Sequence, residues 1–210
     1  MVISIILGVV LMVVYCSFAE WFVHRYGMHT QKLSKWAFRR HAIQHHAQRR
    51  SLKTFYSPDV YKIWQSSAIP LLWLLHAPLY FLIGALTNQG VGIGAAIGAG
   101  LYVSGYEVLH FFIHTPRNYW FQRTRLFHFY CEYHRVHHHR AKWNYNVVCP
   151  LADAIMGTFS LADMPVEPSL PTTMPRHTGP RSVFGQPVGV AVGAEATASL
   201  EPEAVPAGRE

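Results

Sequence analysis

From Ile63 to Tyr106 the chain reads IWQSSAIPLLWLLHAPLYFLIGALTNQGVGIGAAIGAGLYVSGY, with no Lys, Arg, Asp or Glu. About 20 apolar helical residues cross the roughly 30 Å hydrocarbon core of a bilayer, so this stretch is too long for one crossing and suits two. Thr87-Asn88-Gln89-Gly90 supplies the break between them. Pro70 and Pro78 should bend the first of the pair, a distortion that membranes tolerate where neighbours satisfy the freed carbonyls. Val2 to Ala19 is another uncharged run, and a helix of about 18 residues reaches about 27 Å. It lacks the basic leader and small-residue cleavage site of a secretory signal, so it reads as a retained helix. The expected fold class is all-α, an integral-membrane helical bundle of about three transmembrane helices.

Ten of the 14 histidines fall in four short clusters beside these spans. They are His24 and His29; His41, His45 and His46; His110 and His114; and His134, His137 and His138. Imidazole is the commonest protein ligand for transition metals. Residues three or four apart share a helix face, which suits His110 with His114, sets His134, His137 and His138 on one stripe, and makes His41 and His45 a pair with His46 as neighbour. His24 and His29 are five apart, and Gly27 is expected to end the helix and turn the later imidazole back. Ten imidazoles exceed the four ligands of a closed zinc site and suit two metal ions. Glu20 and Glu107 stand close to His24 and His110, where each can accept the second N–H of an imidazole. His76, His128 and His177 read as incidental, and His139 falls outside the pattern. Cys16, Cys131 and Cys149 imply no disulfide framework and read as neutral thiols.

Three crossings put the segment after the first helix and everything after the third on one side. All four clusters then meet at one membrane face. All 18 Lys and Arg residues lie on that same face, and the positive-inside rule makes it cytoplasmic. The net charge of +7 therefore faces anionic headgroups, and with no nucleic-acid motif among the basic residues no nucleic-acid partner is expected. From about residue 160 the chain turns rich in Pro, Gly, Ala, Thr and Glu, so residues 160–210 are expected to form a disordered tail behind a membrane domain of residues 1–159. Gly94-x3-Gly98 can pack helices within one chain or between two, so the oligomeric state stays open.

These residues resemble the fatty acid hydroxylase and sterol desaturase superfamily of histidine-rich membrane oxygenases. Glu20-Trp-Phe-Val-His24-Arg-Tyr-Gly-Met-His29 looks like its first box, and His41-Ala-Ile-Gln-His45-His46 like its second. Tyr106-Glu107-Val-Leu-His110-Phe-Phe-Ile-His114 looks like its third. His134-Arg-Val-His137-His138, followed by Asn144-Tyr145-Asn146, Asp153 and Gly157, is similar to its last box and the segment after it. The resemblance runs from about Glu20 to Phe159, and the order of boxes is nearest that of fatty acid 2-hydroxylases. The second box differs from that subgroup in having three residues rather than two before its paired histidines.

The resemblance implies a cytoplasm-facing di-metal site held by the ten clustered histidines, with iron first and zinc as the alternative, and O2 as cosubstrate. It implies a membrane lipid as substrate, a fatty acyl chain before others. It also implies a separate electron donor of cytochrome b5, ferredoxin or reductase type. Trp21, Phe22, Tyr106, Phe111 and Phe112 are candidates to line the lipid's path. A sterol or carotenoid hydroxylase, a desaturase on the same scaffold, and a non-catalytic metal-binding membrane protein are the alternatives.

Overall fold

A computed structural model describes residues 1–46, 73–115, 117 and 119–161, all of it helix, turn or loop. Helix α1 covers Val2–Phe22 and passes into a π-helical turn over Val23–Met28. A short α2, Lys35–Phe38, is capped by the Ser34 hydroxyl and leads into a second π-helical segment, Arg39–His45. Helix α3, Ala77–Leu86, and helix α4, Gln89–His114, form a hairpin. A 3₁₀ turn, Trp120–Arg123, then precedes α5, Arg125–His139, and the five-residue α6, Leu151–Ile155.

Two of these helices, α1 and α4, are long and apolar enough to cross a membrane. At 1.5 Å per residue they extend about 31 and 39 Å. Ile3, Ile6, Leu7, Val10 and Leu11 of α1 and Ile93, Ile97 and Leu101 of α4 are exposed, an outer surface suited to lipid rather than water. The expected break is where the sequence puts it: the Asn88 side chain accepts from the Val91 N–H and starts α4. Pro78 interrupts the preceding helix as expected, because the chain turns at His76 and restarts as α3 with the proline in its first turn. Pro70, and most of the second expected span, lie outside the described residues, as does nearly all of the 160–210 tail.

Helices α1 and α4 run side by side in the same direction. Ser4 lies beside Gly90, Ile5 against Gly94 and Val9 against Gly98. The approach is closest at the glycines. A Cβ on Gly94 would lie 2.1 Å from the Ile5 carbonyl oxygen, and one on Gly8 would lie 2.2 Å from that of Val91. The Gly94-x3-Gly98 stripe thus packs within the chain, against α1. Helix α3 runs antiparallel to α4, with Gly84 against Gly92 and the Trp73 indole donating to the Ala96 carbonyl at 2.9 Å. The parallel pairing brings the C-terminal ends of α1 and α4, which carry His24 and His110, to the same end of the bundle.

The segment after α5 closes that end. Trp21, Tyr145 and Ala152 form one buried cluster, and Ile113, Phe127, Cys131 and Val147 another. Gly94→Val should force the two long helices apart and cost about 3 kcal/mol. Its thermal midpoint in mild detergent is expected to drop clearly. Gly105→Ala, whose added carbon meets nothing nearer than Val148 at 3.9 Å, should stay close to wild type.

Candidate metal centre

His24 and His29 lie on one continuous helical path. The helix ends at Met28, next to Gly27 as the sequence suggested, with His29 as its C-cap. Its last stretch widens into an i→i+5 turn, in which the His29 N–H donates to the His24 carbonyl at 3.1 Å. That widening puts residues five apart on one face, and the two rings stack at 5.1 Å. The second π-helical segment does the same for His41 and His46, whose Nε2 atoms are 3.2 Å apart. Helix α4 presents His110 and His114, and α5 presents His134, His137 and His138.

Ring nitrogens from these elements gather into two groups that can each hold a metal ion. One comprises His24, His29, His41 and His137; the other His45, His110, His114, His134 and His138. His46 joins the first through its contact with His41, and its ring stacks on His138 of the second at 4.3 Å. All ten histidines singled out in the sequence are therefore brought together. The boxes do not map one to one onto the groups. The first serves one group and the third serves the other, while the second and fourth divide between both. His45 and His46 point to different groups, as do His137 and His138, because successive residues on a helix are turned by about 100°.

Within each group the Nε2 atoms converge. His24 and His41 approach to 2.8 Å, His29 and His137 to 3.0 Å, and His29 and His41 to 3.2 Å. In the other group, His134 Nε2 lies 3.0 Å from that of His110 and 3.1 Å from those of His114 and His138. One imidazole nitrogen carries either a proton or a lone pair, so it cannot satisfy three such neighbours at once. Lone pairs aimed at a shared point are the donor set of a cation, and the residues fit a metal ion.

Two backbone carbonyls set the direction of the lone pairs. The Nδ1–H of His24 donates to the Tyr145 carbonyl, and that of His137 to the Trp143 carbonyl at 2.8 Å. A proton held at Nδ1 leaves Nε2 as the lone-pair nitrogen. Burial supports the same neutral state. It pushes His29 down to about 4 and His137 to about 3, and holds His41, His45, His134 and His138 well below the ordinary value of about 6.5. Neutral imidazole is the form that binds metal.

The carboxylates behave differently from expectation. Glu20 accepts from the Tyr102 hydroxyl at 2.6 Å, the Val147 N–H at 2.6 Å and the Asn146 amide at 3.1 Å. It ties α1 to the segment after α5 and takes no imidazole N–H, a role the Tyr145 carbonyl fills for His24. Among the described residues Glu107 likewise accepts from no imidazole. Trp21, a candidate for the lipid path, is 5% exposed and donates its indole N–H to the Thr158 hydroxyl at 2.8 Å, so it belongs to the core. Phe22 is exposed beside it. His76, His128 and His139 lie in neither group, and no cysteine joins them. Burial pushes the Cys131 thiol up to about 12, which keeps it protonated.

Sequence reasoning missed the carbonyls of Trp143 and Tyr145, which carry no side-chain signature. It also passed over the i, i+5 spacing of His41 and His46, which repeats that of His24 and His29 and marks both π-helical turns.

No curated protein and no solved structure matches the chain. The fatty acid hydroxylase family model matches residues 9–158, more than half of the sequence and a span that holds all ten histidines. The chain belongs to the fatty acid hydroxylase family, part of the fatty acid hydroxylase and sterol desaturase superfamily of metal-dependent oxygenases.

Proposed function

We propose that this protein is a membrane-bound, O2-dependent di-metal oxidoreductase that hydroxylates a C–H bond of a lipid, with a fatty acyl chain as the preferred substrate. The observation that carries the reading is the convergence of nine imidazoles into two adjacent groups, with His46 in contact with both, at one end of apolar helices. The overall balance is lipid C–H plus O2, two electrons and two protons, giving lipid C–OH and water. Two iron ions would supply the reduction of O2 that this balance requires; zinc fits imidazole equally but has no redox chemistry. His24, His29, His41, His46 and His137 would hold one ion, and His45, His110, His114, His134 and His138 the other.

The chain's own contribution is to ligate, orient and shield. The Trp143 and Tyr145 carbonyls fix the tautomers of His137 and His24, and burial of all the clustered imidazoles except the half-buried His29 and His45 keeps bulk water off them. The exposed apolar faces of α1 and α4 lead from the bilayer toward the histidine end, so a lipid can offer its chain without leaving the membrane. In this reading the bundle crosses the membrane three times, the histidines face the cytoplasm, residues 1–159 are the catalytic domain, and residues 160–210 form a disordered tail. Electrons come from a separate donor of cytochrome b5, ferredoxin or reductase type.

In cells expressing the wild type, lipid mass spectrometry should find a species that has gained one oxygen, absent with His137→Ala although that variant inserts normally. Product in the variant above about 1% of wild type would overturn the assignment of His137. Loss of two hydrogens instead of gain of oxygen would identify a desaturase, and an oxidised sterol or carotenoid would name the other substrate class. No change with wild type, despite bound metal and a supplied donor, would favour a non-catalytic metal-binding role.

Acidification provides a second test, on protein stripped with a chelator. The folded state holds these histidines neutral, with lowered pKa values, whereas the unfolded chain takes up protons below about 6.5. Their contribution is therefore complete above that pH and falls as the pH drops toward the folded values, His29 charging near 4. The thermal midpoint should be level above pH 7 and decline from about pH 6.5 to 4. A midpoint unchanged across that range would contradict the buried, neutral cluster.

A further inference from the structure

Asp153, at the start of α6, is fully buried and lies outside both histidine groups. A carboxylate in such a place is costly unless its oxygens are satisfied, and these are. Oδ1 accepts from the Tyr145 N–H at 3.0 Å and the Thr158 hydroxyl at 2.6 Å. Oδ2 accepts from the Asn146 N–H at 2.6 Å and the Tyr133 hydroxyl at 2.7 Å. The Asn146 N–H belongs to the same planar peptide unit as the Tyr145 carbonyl, the one that accepts from His24 Nδ1. In a trans peptide the N–H and C=O point in opposite directions, so holding one aims the other.

We propose that Asp153 is a positioning residue for the metal group of His24, His29, His41 and His137, acting on His24 through the intervening peptide. The relay runs from Asp153 Oδ2 to the Asn146 N–H, across that peptide to the Tyr145 carbonyl, and on to His24 Nδ1, leaving Nε2 directed at the group. It extends the usual carboxylate–histidine–metal arrangement by one peptide, and a negative charge on the N–H makes the carbonyl a stronger acceptor. A parallel link supports the same group. The Asn144 N–H donates to the Thr158 carbonyl at 2.8 Å, and the peptide it belongs to carries the Trp143 carbonyl that accepts from His137. Thr158 also donates its hydroxyl to Asp153, so one corner of the fold steadies two ligands of this group, His24 and His137. Both relays end in the same group, so disturbing Asp153 should affect one metal ion rather than two.

The inference rests on the two-metal reading above, and the experiment separates the two. Wild type and Asp153→Asn are purified in mild detergent with metal bound, the metal content is measured, and release to a chelator is followed over time. Wild type should hold two ions and release both slowly. Asp153→Asn should release one ion about 10- to 100-fold faster, the usual effect of disturbing a ligand's outer partner, with the second unchanged. Two ions in wild type, but release from Asp153→Asn that is unchanged or accelerated equally for both, would overturn the positioning role alone. Fewer than two ions in wild type would overturn the two-metal reading and this inference with it. If Asp153→Asn does not accumulate, Thr158→Val and Thr158→Ser make the same comparison: loss of the hydroxyl should free one ion early, and its retention should restore the slow phase.

Discussion

Imidazole lone pairs that face one another at about 3 Å impose the constraint from which the rest of this structure follows. The pattern requires neutral rings, so the site must be dry; a second proton, added at Nε2 of a ring already protonated at Nδ1, would turn a ligand into a repelling charge. It requires fixed tautomers, so Nδ1 needs an acceptor. It also requires rings that cannot swing away, so their backbones must be rigid. Burial meets the first demand for most of these rings. The carbonyls of Trp143 and Tyr145 meet the second for His137 and His24. The third is met by helices, including two π-helical turns whose wider pitch is tolerated because it places residues five apart together.

The membrane part of the fold serves the same end by a different physics. Burial against lipid gives little reason for two apolar helices to prefer each other over the acyl chains, so close packing has to supply the attraction. The glycines of α1 and α4 provide it by letting the two backbones touch. The resulting parallel pair carries His24 and His110 to the same end. Polar bonding begins where the helices end. There Glu20 gathers Tyr102, Asn146 and Val147, and Ser17 donates to the Cys149 carbonyl while accepting from the Ala152 N–H. These bonds fasten the closing segment to α1 next to the first box.

Much of this could be read in the sequence, and the unread parts share a cause. Uncharged runs and the Thr87-Asn88-Gln89-Gly90 break located the helices that are described, because length and capping are local properties. The i, i+4 histidines located the site for the same reason. Glu20 was misread because its partners lie more than 80 residues away and include a backbone N–H, which no spacing reveals. Gly27 does stand next to the helix end, at Met28, but His29 is turned back by a widened i→i+5 turn that glycine alone does not announce. Trp21 was offered to the lipid because aromatic residues gather at membrane boundaries, yet its indole N–H is held by Thr158, 137 residues on.

The division of the second and fourth boxes between the two groups explains why each carries adjacent histidines. On an α-helix, ligands four apart share a face and serve one centre, as His110 with His114 and His134 with His138 do. Neighbouring residues on one helix point about 100° apart, so His45 with His46 and His137 with His138 each reach both groups from a single rigid element. The separation of the groups is then set by helix geometry instead of by loop conformation. The stacking of His46 on His138 closes the remaining gap from opposite elements. Two elements that each bridge both groups, crossed by a contact between them, fix the distance between the groups, while the partners of each ring remain its own.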